Sequence, residues 1–138
     1  MSAILEIKNL MLFYENAVAI NNINITVNEG KIVGIFGSNS AGKSSLMLCI
    51  SGIILDVRKK EVMKGGERIT VTGEIKFRGE NVLSVEPSER AKKGIILCPE
   101  RRLIFPESSA LENLRIGAYL ATKAQAKKTL EYVLGLFP

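Results

Sequence analysis

The sequence predicts an α/β fold in which an antiparallel β region leads into a strand, a loop and a helix in direct succession. Alternating apolar and polar residues at positions 4–8 and 23–28 are typical of half-buried strands. An apolar run at 32–36 is followed by a glycine-rich loop and then by residues at helical spacing. The 138 residues, 46% of them hydrophobic and 24% charged, fit one globular domain with a real core.

The elements follow from this pattern in chain order. Residues 32–36 are apolar on both faces, which predicts a central strand covered on two sides. A helix is expected from Lys43 and ends near position 55. Residues 56–72, rich in Lys, Glu and Gly, are predicted to form a loop or hairpin before an alternating segment that reaches Phe77. The β part is therefore assigned to about 1–31 and 56–80, and the strand and helix around the loop to about 32–55.

A further strand and several helices are predicted from about 94 to 138. A short helix from Pro87 ends at Gly94, and residues 95–98 form a buried strand stopped by Pro99. Ser109 and Glu112 have the spacing of a capping box at the start of a helix. Residues 123–137 form the last predicted helix.

Composition excludes several kinds of chemistry and location. The chain has 19 Lys and Arg against 14 Asp and Glu, an excess that fits anionic ligands or a membrane surface. It has no histidine, which removes Ser-His and Cys-His catalytic pairs. Cys49 and Cys98 lie in apolar stretches and are expected to be buried free thiols. No apolar run approaches the ~20 residues of a membrane span, and no secretory signal is recognisable, so a cytosolic location is expected.

One motif carries specific chemistry. Residues 37–44 match the pattern G-x-x-x-x-G-K-[ST] between an apolar strand and an amphipathic helix, the context that this motif requires. Its amides and the helix N-terminus would face phosphate oxygens, Lys43 would add a cation, and the Ser44 hydroxyl could bind Mg²⁺. Ser40 would be strained if the loop needs a positive φ there. The predicted phosphate-binding residues are Gly37, Ser38, Asn39, Ser40, Ala41, Gly42, Lys43 and Ser44.

A nucleotide base would need a flat apolar surface in addition to the loop. Tyr14 is the candidate aromatic for this role. From spacing alone, a half-buried aromatic of the first strand, beside Phe13, is the favoured interpretation.

Several segments together resemble the ATP-binding subunit of ABC transporters, most of all the ATPases of branched-chain amino-acid importers. The likeness runs from about Ile4 to the end of the chain. It rests on positions 10–14 and 23–27, the loop with Asn39, Pro99-Glu100-Arg101-Arg102-Leu103-Ile104-Phe105-Pro106, and Leu111-Glu112-Asn113-Leu114.

The resemblance implies roles for individual residues. Tyr14 matches the aromatic that stacks on adenine, the loop matches the Walker A motif with Ser45 also near phosphate, and Lys43 is the expected catalytic residue. Glu100 falls at the Q-loop position, where it would sense Mg²⁺ and the γ-phosphate, although a solvated carboxylate is the alternative. Residues 101–105 would lie near the membrane subunits, or would simply form a solvated basic loop.

The family's other motifs are missing from this sequence. It contains no Leu-Ser-Gly-Gly-Gln signature, no Walker B motif and no switch histidine. The sequence thus resembles the N-terminal half of such a domain, truncated before these motifs.

The resemblance implies Mg-ATP binding, with ATP hydrolysis in the complete protein but not efficiently in these 138 residues. It also implies permease subunits and a second ATP-binding subunit as partners, at the inner face of the membrane, and no nucleic acid. A GTPase or kinase, or a module that binds nucleotide without hydrolysis, is the alternative. No Asn-Lys-x-Asp guanine motif supports the GTPase.

Overall fold

The computed structural model describes residues 2–100 and 103–138. The chain divides into two compact units between Leu97 and Cys98. Among the described residues, the first unit contains an antiparallel sheet and three helices, and the second contains two helices. The loop motif lies in the first unit.

The sheet confirms the strands that alternation predicted. β1 (Ala3–Tyr14), β2 (Ala17–Asn28), β3 (Ile69–Phe77) and β4 (Glu80–Asn81) lie in the order β2-β1-β3-β4. All neighbouring strands are antiparallel, and Ile7 of β1 is opposite Ile25 of β2 and Ile75 of β3. β1 is thus a central strand of this sheet.

A bulge at Asn9 interrupts both ladders of β1. Asn9 has a φ of 49°, and its backbone N–H donates to Asn24 Oδ1 at 2.9 Å. Across the ladder, a Cβ at Gly73 would lie 2.5 Å from the Asn9 carbonyl oxygen, so only glycine fits there. Ile7 and Leu10, three residues apart, are both buried because the bulge shifts the register between them.

Three helices accompany the sheet in the first unit: α1 (Lys43–Ser51), α2 (Ile53–Lys64) and α3 (Pro87–Lys93). The predicted loop or hairpin over 56–72 is wrong for positions 56–64, which belong to α2. Lys, Arg, Glu and Met are good helix formers, and Gly65, at a φ of 65°, ends the helix. Charge here marks an exposed helix face, and the β part does not begin again until Ile69.

The hydrophobic core lies between the sheet and the first two helices. Burial of this apolar surface is the main force that holds the unit together. The buried apolar residues are Ile7, Leu10, Leu12, Ile20, Leu46, Cys49, Ile54, Leu55, Ile69, Ile75 and Val82.

Two predicted strands are absent from the described part of the chain. Residues 32–36 and 95–98 have no strand pairing, and Ile32 and Phe36 are almost wholly exposed. A buried central strand needs hydrogen-bonded neighbours on both sides, and no described segment pairs with these two. For the same reason Cys98 is exposed, against expectation, whereas Cys49 is buried as predicted.

The second unit contains α4 (Ala110–Gly117) and α5 (Lys123–Leu136). The predicted capping box is confirmed: Ser109 Oγ accepts a hydrogen bond from Glu112 N at 3.3 Å, and Glu112 Oε2 accepts one from Ser109 N at 2.8 Å. A groove of about 550 Å³ between the helices is lined by apolar side chains that include Leu114, Leu130 and Val133. Within the described ranges, every helix is too short or too polar to cross a membrane.

Candidate functional site

The glycine-rich loop turns tightly before it enters α1. Ala41 N donates to Ser38 O at 3.3 Å, and both Ser40 and Gly42 have positive φ, 67° and 85°. Ser40 therefore adopts the left-handed conformation that the sequence flagged as strained. For a residue with a Cβ this conformation costs about 1–2 kcal/mol.

Gly42 is required for a second reason besides its φ. A Cβ at this position would lie 2.3 Å from the carbonyl oxygen of Ala19 in β2. The end of the loop thus lies directly against the backbone of the sheet. This contact fixes the point at which α1 begins.

The N-terminus of α1 is suited to bind an anion. Its N-cap residue is Gly42, so no side chain caps the helix, and its first turn contains no acidic residue. The amides of Lys43, Ser44 and Ser45 have no acceptor within the helix because of helix geometry. Together with the positive end of the helix dipole, these donors favour a phosphate group.

Lys43 folds back over the beginning of the loop. Its ammonium donates to the carbonyl oxygens of Gly37 at 2.7 Å and Ser38 at 2.6 Å. A cation is therefore held at the loop beside the exposed amides of α1. These contacts involve neutral carbonyls, which an anionic ligand can replace as partners of the ammonium.

A groove of about 440 Å³ lies beside the loop. Ala41, Gly42, Lys43 and Leu46 form one side, and residues of β2 form most of the other. Sequence reasoning did not identify β2 as a wall of the site. The alternation of β2 shows which residues share a face, but not which segment that face meets. The other residues that line the groove are Val18, Ala19, Ile20, Asn21, Ile23, Asn24, Ile25, Ile35 and Phe36.

The structure places Tyr14 at the end of β1, opposite Ala17 of β2 and Ile69 of β3. Its side chain is half-buried and packs against the core. Among the described residues that line the groove beside the loop, Tyr14 is absent. Its predicted contact with a base therefore stays a prediction.

Glu100 is an exposed residue of the second unit, directly after Pro99. Arg101 and Arg102, which the sequence also singled out, lie outside the described residues. Leu103, Ile104 and Phe105 are exposed. Asn113, whose role was not predicted, accepts a hydrogen bond from Phe105 N at 2.8 Å and donates to Phe105 O at 3.0 Å.

Ser44 contributes one hydroxyl that could reach a metal ion. In the part of the chain that is described, no group of three or more His, Cys, Asp or Glu side chains could hold a metal ion. Mg²⁺ is commonly bound by a few protein oxygens together with substrate phosphates and water. The donors at the loop fit that mode of binding.

The chain shares sequence with known ATP-binding proteins over most of its length. It is 28% identical over 126 residues to the high-affinity branched-chain amino acid transport ATP-binding protein BraG of Pseudomonas aeruginosa, covering 91% of this chain and 48% of BraG. It is 32% identical over 117 residues to the xylose import ATP-binding protein XylG of Histophilus somni, covering 85% of this chain and 21% of XylG. The chain thus spans about half the length of BraG and about a fifth of XylG.

The fold is also similar to that of a solved structure. A crystal structure of a nucleotide-free ATP-binding cassette from an ABC transporter superposes with a TM-score of 0.60 and 21% identity, over 94% of this chain and 52% of that chain. At this identity the match shows a shared fold. The family model described as ABC transporter matches residues 20–136. The chain therefore belongs to the ABC transporter family.

Proposed function

We propose that this chain is the nucleotide-binding part of an ABC importer ATPase and binds Mg-ATP at the loop of residues 37–45. The observation that carries the proposal is the loop itself, in which the Lys43 ammonium lies on the Gly37 and Ser38 carbonyls beside the uncapped N-terminus of α1. In this proposal the loop amides and Lys43 bind the phosphates, and Ser45 lies close to them.

Ser44 and Glu100 would hold the metal ion. Bound Mg²⁺ offsets the charge of the phosphates and supplies electrostatic stabilisation during their transfer. Ser44 offers a hydroxyl at the second residue of α1, and Glu100, an exposed residue, offers a carboxylate. Tyr14 would cover the base by stacking.

In the complete protein, we propose that ATP hydrolysis drives solute import through permease subunits at the inner face of the membrane, with a second ATP-binding subunit. The name of XylG supports import and the name of BraG supports transport, and the two names refer to different solutes. Branched-chain amino acids are the solutes that we favour, because residues 99–106 and 111–114 have the pattern of that branch. The exposed segment at Leu103, Ile104 and Phe105 would face the permease.

The direct test is calorimetric titration of Mg-ATP into the 138-residue chain and into Lys43→Ala. Loss of a charge-assisted hydrogen bond to phosphate should weaken binding by about 1.5–3 kcal/mol. Lys60→Ala is the matched control, because Lys60 is an exposed lysine of α2, away from the loop. Equal affinities for the wild type and Lys43→Ala would remove the loop from the proposal.

Phosphate release measured on the same samples separates binding from hydrolysis. The 138-residue chain should bind Mg-ATP with negligible turnover, since a positioned attacking water and a second charge-stabilising group are needed beyond the phosphate cradle. Sustained turnover that disappears in Lys43→Ala would reveal a catalytic base, with Glu100 as the first residue to substitute.

A further inference from the structure

Arg90 of α3 is a charged side chain in the interior of the first unit. Its exposed fraction is 0%, which is rare for arginine unless the charge has partners. The guanidinium makes four hydrogen bonds, and every acceptor is a backbone carbonyl. Burial lowers the pKa of this guanidinium below its usual range. Four carbonyl dipoles thus replace water around the charge.

The four carbonyls belong to two different parts of the unit. Nη1 donates to Cys49 O at 2.7 Å and to Ile50 O at 2.9 Å, in the last turn of α1. Nε donates to Val85 O at 2.8 Å, and Nη2 donates to Leu83 O at 2.8 Å, in the segment before α3. The carbonyls of a last helical turn have no partner within the helix, and a cation is favourable at this end of the dipole. Arg90 therefore fastens the C-terminal end of α1 to α3 and to the segment that precedes it.

Gly52 makes room for this contact. A Cβ at Gly52 would lie 2.7 Å from Arg90 Nε and 3.0 Å from Arg90 Cζ. Gly52 also separates α1 from α2, with a φ of 84°. Glycine at the break and arginine in the space beside it form one arrangement that fixes where α1 ends.

We infer that Arg90 is a positioning residue for the nucleotide site and acts through α1; this inference rests on the proposed function. α1 is nine residues long, or about 13–14 Å, and Lys43 is its first residue. A helix this short moves as a rigid body, so releasing its C-terminal end tilts its N-terminal amides. Hydrogen bonds weaken steeply with misalignment, and a tilt of this kind should therefore reduce phosphate binding.

The first test is Arg90→Lys in the 138-residue chain, with Mg-ATP affinity and thermal unfolding measured together. Lysine keeps the positive charge, but its single side-chain nitrogen cannot reproduce the four hydrogen bonds that the three guanidinium nitrogens donate. The affinity of the folded variant should fall about tenfold or more, the loss expected for one charge-assisted hydrogen bond. Ile75→Val is the control for lost stability, because Ile75 is a buried core residue of β3. It should lower the unfolding temperature and leave affinity unchanged.

The second test displaces the guanidinium without changing Arg90. Gly52→Ala introduces the Cβ that would contact Arg90, whereas Gly65→Ala introduces one at a similar φ, 65°, with no atom within 4 Å. Both carry backbone strain at a helix end, and of the two only Gly52→Ala places a Cβ against Arg90. Gly52→Ala should reduce ATP affinity as Arg90→Lys does, Gly65→Ala should not, and the double variant Gly52→Ala/Arg90→Lys should lose little more than either single one.

Two outcomes separate this inference from the proposed function. A wild-type chain that binds Mg-ATP, with Arg90→Lys and Gly52→Ala folded and equal to it in affinity, would overturn the positioning role alone. A folded wild-type chain that binds no Mg-ATP would overturn the proposed function and this inference with it.

Discussion

At the scale of single residues, Ser40 and Gly42 show two ways in which a loop can hold positive φ. Ser40 carries conformational strain that glycine would avoid, and the surrounding turn maintains it. Gly42 has no such strain, but its lack of a Cβ is also needed against Ala19 O. The glycine and lysine spacing of the motif predicts Gly42, whereas at Ser40 the sequence indicates only that a positive φ would carry strain.

Arg90 could not be found in the same way. In the sequence it is one basic residue in a charged run at 89–93, which a solvated helix face explains equally well. Its burial depends on carbonyls of α1, 40 and 41 positions away along the chain. A role that depends on such a tertiary contact leaves no periodic signal.

Tyr14 offers a prediction at this scale. Tyr14→Ala should weaken Mg-ATP binding, whereas Tyr14→Phe should not, because base stacking needs the ring and not the hydroxyl. The measurement is calorimetry on folded protein. Phe13→Ala is the control, since side chains of adjacent residues in a strand point to opposite faces of the sheet. Unchanged affinity in both Tyr14 variants would leave the residue with a core role only.

At the scale of elements, the sequence correctly predicts the strands that pair with another described strand. Its two predicted strands that lack such a partner are wrong. β1, β2 and β3 each alternate in the sequence and pair with one another. Residues 32–36 and 95–98 have equally strong apolar patterns, but hydrophobicity does not specify a hydrogen-bonding neighbour. The loop predicted from position 56 is wrong for a related reason. Charged residues indicate exposure to solvent but do not specify the backbone conformation, which in this segment is the helix α2.

The starts of α4 and α5 are fixed by local hydrogen bonds in both cases. The sequence predicts the capping box of Ser109 and Glu112 at the start of α4. The hydrogen bonds that Ser109 donates to Glu112 lower the pKa of the Glu112 carboxyl. Thr122 and Gln125 form the equivalent capping box at the start of α5, since Thr-x-x-Gln has the same geometry. The sequence therefore contains the residue pattern that predicts where α5 begins.

We predict that Thr122→Ala destabilises α5 by about 1 kcal/mol, the usual cost of losing an N-cap side chain. Thr122 Oγ1 accepts a hydrogen bond from Gln125 N at 3.3 Å, which alanine cannot replace. Amide hydrogen exchange should speed up in the first turns of α5, and Thr122→Ser should restore protection. Exchange rates in α5 that are the same in all three proteins would show that the cap contributes nothing.

At the scale of the whole molecule, the first unit has a well-packed core and, outside it, apolar segments that nothing in the described residues covers. The core joins the sheet to α1 and α2. Ile32, Phe36 and Ile96 are nevertheless exposed, in the two segments for which strands were predicted. The chain spans about half the length of BraG, and the strands that the sequence predicts at 32–36 and 95–98 are not formed among the described residues.

These exposed segments lead to a prediction for the isolated 138-residue chain. Apolar side chains next to unpaired backbone N–H and C=O groups favour association between copies, through burial of the side chains and pairing of the edges. Sedimentation velocity should therefore show association that increases with protein concentration. Ile32→Lys and Ile96→Lys should each reduce it, whereas Val62→Lys, at an exposed residue of α2 whose backbone is already paired within the helix, should not. A chain that stays monomeric at all concentrations would contradict this account of the exposed segments. Equal association in all the variants would place the contact elsewhere on the molecule.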